Sequence, residues 1–254
     1  MPIPYLRTLT ADERTPKGNR HLAQVLIFIA GAINAGGFLA VQQYTSHMSG
    51  IVSGMADNLV LGEVRIVLSG LGALLSFILG AASSAILIKL GQKLALRSQY
   101  ACPLLFEAFL LVVFGLLGSK AGLHQWLFVP ITVSLLCFVM GLQNAMISKL
   151  SKAEIRTTHI TGMVTDIGIE LGKLMYFNID KEQPQVLADR TKLAMLATLV
   201  GLFFAGGVAG ALGFKYIGFG STLPLAGMLV VLTIVPVVDD VRFHWQRGSS
   251  NTAD

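Results

Sequence analysis

Thr45-Ser46-His47-Met48-Ser49-Gly50-Ile51-Val52-Ser53 and Thr157-Thr158-His159-Ile160-Thr161-Gly162-Met163-Val164-Thr165 carry one pattern twice. Each of the paired positions is identical or conservatively replaced. Upstream, Gly31 and Asn34 match Gly141 and Asn144 after a two-residue gap. The order of apolar span, Asn, short linker, T-x-H-x-S/T-G and short segment therefore recurs, and such internal similarity governs the reading of the whole fold. Further on, Gly72, Ser76, Gly80 and Ser84 form a small-residue stripe at four-residue spacing, as do Gly201, Ala205, Ala209 and Gly213. Stripes of this kind let helix backbones approach closely in lipid, so both are expected to pack against other helices.

The residues around the repeat are apolar. Hydrophobic residues make up 54% of the chain and charged residues 13%, against about a quarter charged in a soluble domain. Mean hydropathy is +0.68. So few charges cannot cover a water-facing surface, and the length leaves no room for a separate catalytic domain. Six stretches approach or reach the ~20 residues a helix needs to cross a bilayer: 22–41, 65–90, 101–118, 126–147, 193–213 and 219–238. The first follows a basic, polar start and is too long for a signal-peptide core, so it is read as an uncleaved span. Segments 46–62 and 158–174 are shorter and contain Asp57 with Asn58, and Asp166 with Glu170.

Charge placement separates the topologies. If neither short segment crosses, Arg65, Lys120 and Lys215 lie on one side and the other 16 of 19 basic residues on the opposite side. If both cross, the split is 12 against 7. Basic loop residues favour the cytoplasm. The expected fold is thus an all-α membrane protein of six transmembrane helices plus two short re-entrant or half-helices. Its expected location is the bacterial inner membrane, with both termini cytoplasmic. Residues 22–125 and 126–240 form two repeats, flanked by cytoplasmic tails 1–21 and 241–254. Three spans per repeat make the repeats inverted in topology. The net charge of +5 follows loops rather than one helix face, which argues against nucleic acid as a partner. Cys102 and Cys137 fall in apolar spans and read as small buried hydrophobes.

The most specific stretches, the two H-x-S/T-G elements and Thr157–Gly172 (T-T-H-I-T-G-M-V-T-D-I-G-I-E-L-G), resemble the YoaK-like family of bacterial integral membrane proteins, a family of unknown function. The resemblance runs from about His21 to Val238. It implies a six-span bacterial membrane protein and no particular substrate. The family's first element usually has Asn after its Gly, where this chain has Ile51.

Several side chains could carry function. Ser and Thr at the start of each short segment are expected helix N-caps, and the following Gly permits close approach or unusual backbone. Two half-helix N-termini near the midplane, each with a partial positive charge, would suit an anion or the negative end of a dipole. The candidate substrate site is therefore Asn34, Thr45, Ser46, His47, Ser49 and Gly50 with Asn144, Thr157, Thr158, His159, Thr161 and Gly162. Alternatively, the hydroxyls only cap short helices. His47 and His159 can relay protons or bond a carbonyl of the opposite repeat. Asn34 and Asn144 are expected to bond across the repeat interface. Glu107, Asp57, Asp166 and Glu170 are candidates for proton or ion coupling because intramembrane carboxylates are costly. Glu107 could instead bond a neighbouring helix, and Asp166 and Glu170 could face cytoplasmic water.

No metal site, cofactor or catalytic motif is expected. The partners expected are the lipid bilayer and a small-molecule or ion substrate, with a homo-oligomer left open. The reading is a transporter or channel for a small solute, anionic and proton-coupled in one version. A non-transporting scaffold or sensor is the first alternative, and an intramembrane enzyme the second.

Overall fold

The structure is a computed structural model that describes residues 16–94, 96, 98–118, 125–150, 157–178 and 185–250. It is all-helical over the described residues. The elements are α1 (Pro16–Val41), α2 (Met48–Val60), α3 (Val64–Lys93), α4 (Ala101–Gly118), α5 (Gln125–Leu150), α6 (Ile160–Met175), α7 (Arg190–Ile217), a 3-10 turn (Gly218–Ser221) and α8 (Thr222–Ser250). Four stretches are long and apolar enough to cross a membrane: Gly18–Val41, Val64–Lys93, Val129–Leu150 and Arg190–Asp240. The last contains α7, the turn and most of α8. Ala101–Leu116 is apolar but shorter. At 1.5 Å per residue, the 13 residues of α2 reach only about 20 Å, less than the ~30 Å hydrocarbon core. The basic residues Arg7, Arg14, Arg97, Lys120, Lys152, Arg156 and Lys181 used in the charge count lie outside the described residues.

Burial sorts the helices. Leu22, Leu26, Ile27 and Ile33 of α1 and Leu136, Met140, Leu142 and Met146 of α5 are fully buried, so these two form the centre. The outer face of α3 exposes Leu68, Leu71, Leu75, Ile78, Leu79 and Ile86, an apolar surface suited to lipid.

Two helix pairs surround this centre, α1 with α7 and α3 with α5. Each pair closes on backbone. A Cβ at Gly31 would collide with the Phe203 carbonyl, and one at Gly206 with the Phe28 carbonyl. The other pair repeats the arrangement, with Gly141 against the Phe77 carbonyl and Gly80 against the Phe138 carbonyl. All four contacts fall within Phe-x-x-Gly elements: Phe28–Gly31, Phe77–Gly80, Phe138–Gly141 and Phe203–Gly206.

This geometry corrects the second small-residue stripe. Gly80 and Ser84 are buried as expected, but Gly201, Ala205 and Ala209 are exposed. Nothing lies within 4 Å of a Cβ built at Gly72 or Gly201. On α7 the packed positions are Gly206 and Gly210. The reason is rotational: three residues along a helix turn the contact face by about 300°, and both faces of α7 carry small residues.

Helix directions follow from the same contacts. Gly206, Gly210 and Phe214 meet Phe28, Ala32 and Gly36 in order, so α1 and α7 run parallel. Asp240 meets Ser98, while Thr222 meets Gly115 and Phe219 meets Gly118. Hence α4 and α8 run antiparallel.

Candidate functional site

After Val41 the chain leaves α1 through Gln42, whose φ of 55° is unusual for a residue with a Cβ. It then turns back at Thr45, which is fully buried. The Asn34 side chain holds this return. Its Oδ1 accepts from the Ser46 N–H at 3.3 Å and the Ser46 hydroxyl at 2.8 Å. The second repeat matches it. Asn144 Oδ1 accepts from the hydroxyls of Thr157 and Thr158 at 3.2 and 3.0 Å, and Thr157 is fully buried. Asn144 Nδ2 donates to the Met140 carbonyl at 2.8 Å.

Two expectations are corrected here. The asparagines bond within their own repeat rather than across the interface, because each chain reversal brings local hydroxyls to within one side-chain length. Those hydroxyls are consequently tied to Asn and do not cap the short helices. The N-cap residues are His47 and His159, and neither side chain makes a cap hydrogen bond. Their backbones match closely, with φ/ψ of −89°/68° and −83°/52°. Each imidazole folds back over the first turn of its helix. A Cβ at Gly50 would strike the His47 ring, and one at Gly162 the His159 ring. The H-x-S/T-G spacing thus has a steric origin: glycine leaves room for the ring.

The two motifs share one cavity of about 600 Å³. Its polar lining is Ser46, His47 and Ser49 from the first element, Thr158, His159 and Thr161 from the second, and Asn144 with Ser148 from α5. Every one of these groups is a hydroxyl, an amide or an imidazole. Met48, Phe77, Ala81, Gly141 and Ala145 complete the wall. His47 and Gly50 also line a neighbouring cavity of about 390 Å³, beside the stacked rings of Phe38 and Tyr44, whose centroids are 4.6 Å apart. Among the described residues, His47 thus stands between two spaces.

The carboxylates lie elsewhere. Asp57 is exposed on α2 and lines neither cavity. Asp166 pairs with Lys192 at 3.2 Å. Glu170 is buried, pairs with Lys173 at 2.9 Å and accepts the Asp189 N–H at 2.8 Å. The Lys173 hydrogen bond first, and the Asp189 N–H second, hold the Glu170 carboxyl below the ordinary glutamate range, against the opposing effect of burial. Asp166 and Glu170 therefore fasten α6 to the start of α7 rather than facing the cavity. Glu107 is fully buried and accepts from Gln143 Nε2 at 2.9 Å. Reading the sequence alone missed Gln143, the Ser98–Asp240 anchor and the four Phe-x-x-Gly contacts. The last had a legible signal, four copies of one spacing on four helices.

Comparison with known proteins agrees with the membrane reading. The sequence model of a family described as "Protein of unknown function (DUF1275)" matches residues 22–235. The chain is also similar to the UPF0700 transmembrane protein YoaK of Bacillus subtilis (strain 168). Identity is 27% over 196 residues, covering 75% of this chain and 82% of the relative. No solved structure matches.

Proposed function

The chain belongs to the DUF1275 family of proteins of unknown function, and from that premise we propose that it is a transporter or channel for a small solute. The observation that carries this reading is the cavity of about 600 Å³ lined by both T-x-H-x-S/T-G elements. A cavity of that size is typical of small-molecule sites. Its polar groups are uncharged hydroxyls, one amide and two imidazoles. The N-terminal ends of α2 and α6 open beside it through His47 and His159, which favours an anionic or dipolar solute.

The proposed topology has six spans in two inverted repeats, with α2 and α6 as half-helices. Helix directions support it. If neither short helix crosses, α1 and α7 run parallel and α4 and α8 antiparallel, as they do here. If both cross, α4 and α8 would have to be parallel. If only one crosses, α1 and α7 would have to be antiparallel. In the proposed arrangement the cavity lies near mid-depth, where inverted-repeat transporters hold their solutes. The termini are cytoplasmic in an inner membrane, as the basic loops favour.

A scaffold would fit a dry contact between the motifs better than an open cavity. A hydrolase would need a nucleophile on a motif histidine, whereas the hydroxyls of Ser46, Thr157 and Thr158 bond to Asn34 and Asn144, and among the described residues no hydrogen bond joins either imidazole to a hydroxyl. The reading is tested by solute uptake into proteoliposomes, screened over small anions and neutral polar solutes. Ala81→Phe and Ala145→Phe, which fill the cavity from α3 and α5, should abolish uptake while the protein stays folded. Unchanged uptake in both would sink the pathway.

A further inference from the structure

Glu107 on α4 and Gln143 on α5 are both fully buried. They share one hydrogen bond, from Gln143 Nε2 to Glu107 Oε1 at 2.9 Å. Each then has one oxygen left over, and both leftovers are orphaned: Glu107 Oε2 and Gln143 Oε1 have no partner. As an ionised group Glu107 would be a full charge, out of water, held by one neutral donor, which is an unfavourable arrangement. The charged groups on the helices packed against α4 give no relief. Among the side chains the structure describes, these are Arg65, Lys89 and Lys93 of α3, Lys149 of α5, and Asp239, Asp240 and Arg242 of α8. Among the described residues none of them pairs with Glu107, and the thiols Cys102 and Cys137 do not either.

The two orphans are chemically complementary. A proton on Glu107 Oε2 turns an unpaired acceptor into a donor, and the carboxamide already in contact holds the unpaired acceptor that such a donor needs. We infer that Glu107 and Gln143 form a proton-binding site, occupied at neutral pH as a carboxylic acid–carboxamide pair. The site breaks the internal repeat. The position matching Gln143, counted with Gly31/Gly141 and Asn34/Asn144, is Ile33, which is buried and apolar. Architecture alone therefore does not require the polar pair. Gln143 also adjoins Asn144, whose side chain lines the cavity and holds the second motif. A displacement of α5 that opened the cavity would pull on the acid, so proton release is tied to the same helix. The site itself stands whether or not the cavity conducts a solute.

Infrared difference spectroscopy tests this on the full-length protein in nanodiscs. Subtracting Glu107→Gln from wild type at neutral pH should show one protonated-carboxyl C=O band and no carboxylate bands. Glu107→Gln should melt like wild type, because a second carboxamide can make the same reciprocal pair. Carboxylate bands in that difference spectrum would overturn the inference. If Glu107→Gln does not fold, Gln143→Leu decides. Removing the amide should shift the acid C=O band to higher frequency by freeing it of its hydrogen bonds, and an unmoved or absent band would reject the pair.

Discussion

At Gly50 and Gly162 the missing side chain leaves space that an imidazole occupies. Gly50→Ala should therefore turn the His47 ring away at modest cost, less than about 1 kcal/mol because the ring end is free to rotate. Its expected signature is lost uptake with nearly unchanged melting temperature. Adding Gly50→Ala to His47→Ala should lower uptake no further than His47→Ala alone, and a clear extra loss would mean the ring is not the neighbour that matters. Glu170 offers a pH test. Its carboxyl is held below the ordinary range, so its contribution to stability is complete above the unfolded value of about 4.3. The contribution is lost as pH falls through the lower folded value. Glu170→Gln should lower the melting temperature at neutral pH, and the gap from wild type should close in acid. A gap that widens on acidification would contradict the assigned bonds to Lys173 and the Asp189 N–H.

Among the elements, α7 shows how little a small-residue pattern reveals about facing. Gly206 and Gly210 meet α1 backbone, whereas Gly201 and Ala209 do not pack. Gly206→Leu and Gly80→Leu should each destabilise the fold by about 1–3 kcal/mol or more. Gly201→Leu and Ala209→Leu should be close to neutral. Monodisperse yield in detergent size-exclusion chromatography separates the two groups, and equal losses in all four would refute the assigned face. The Phe-x-x-Gly spacing was present in the sequence on α1, α3, α5 and α7, yet nothing local says which glycine meets which carbonyl. That assignment needs the partner helix.

For the whole molecule, the proposed six-span arrangement requires both ends of the chain on the cytoplasmic side. Terminal fusions should be active for a cytoplasmic reporter and silent for a periplasmic one, and the reverse at either end would remove this topology. The two lines of support are independent. One is the distribution of 16 against 3 basic residues, which depends on the membrane. The other is the parallel α1–α7 and antiparallel α4–α8 packing, which depends only on contacts.

The apolar composition, the helical segments and the repeated motif were legible in the sequence because each is local: a run length, a spacing, a copy of nine residues. Helix α4 begins and ends where the apolar run 101–118 does. Tertiary structure alone decided that Asn34 and Asn144 hold their own chain reversals, that Gly206 rather than Ala209 is the contact on α7, and that Glu107 finds Gln143. In water the apolar face of a helix marks its inside. In lipid the outside is as apolar as the inside, so periodicity loses that information and only the packed partner supplies it.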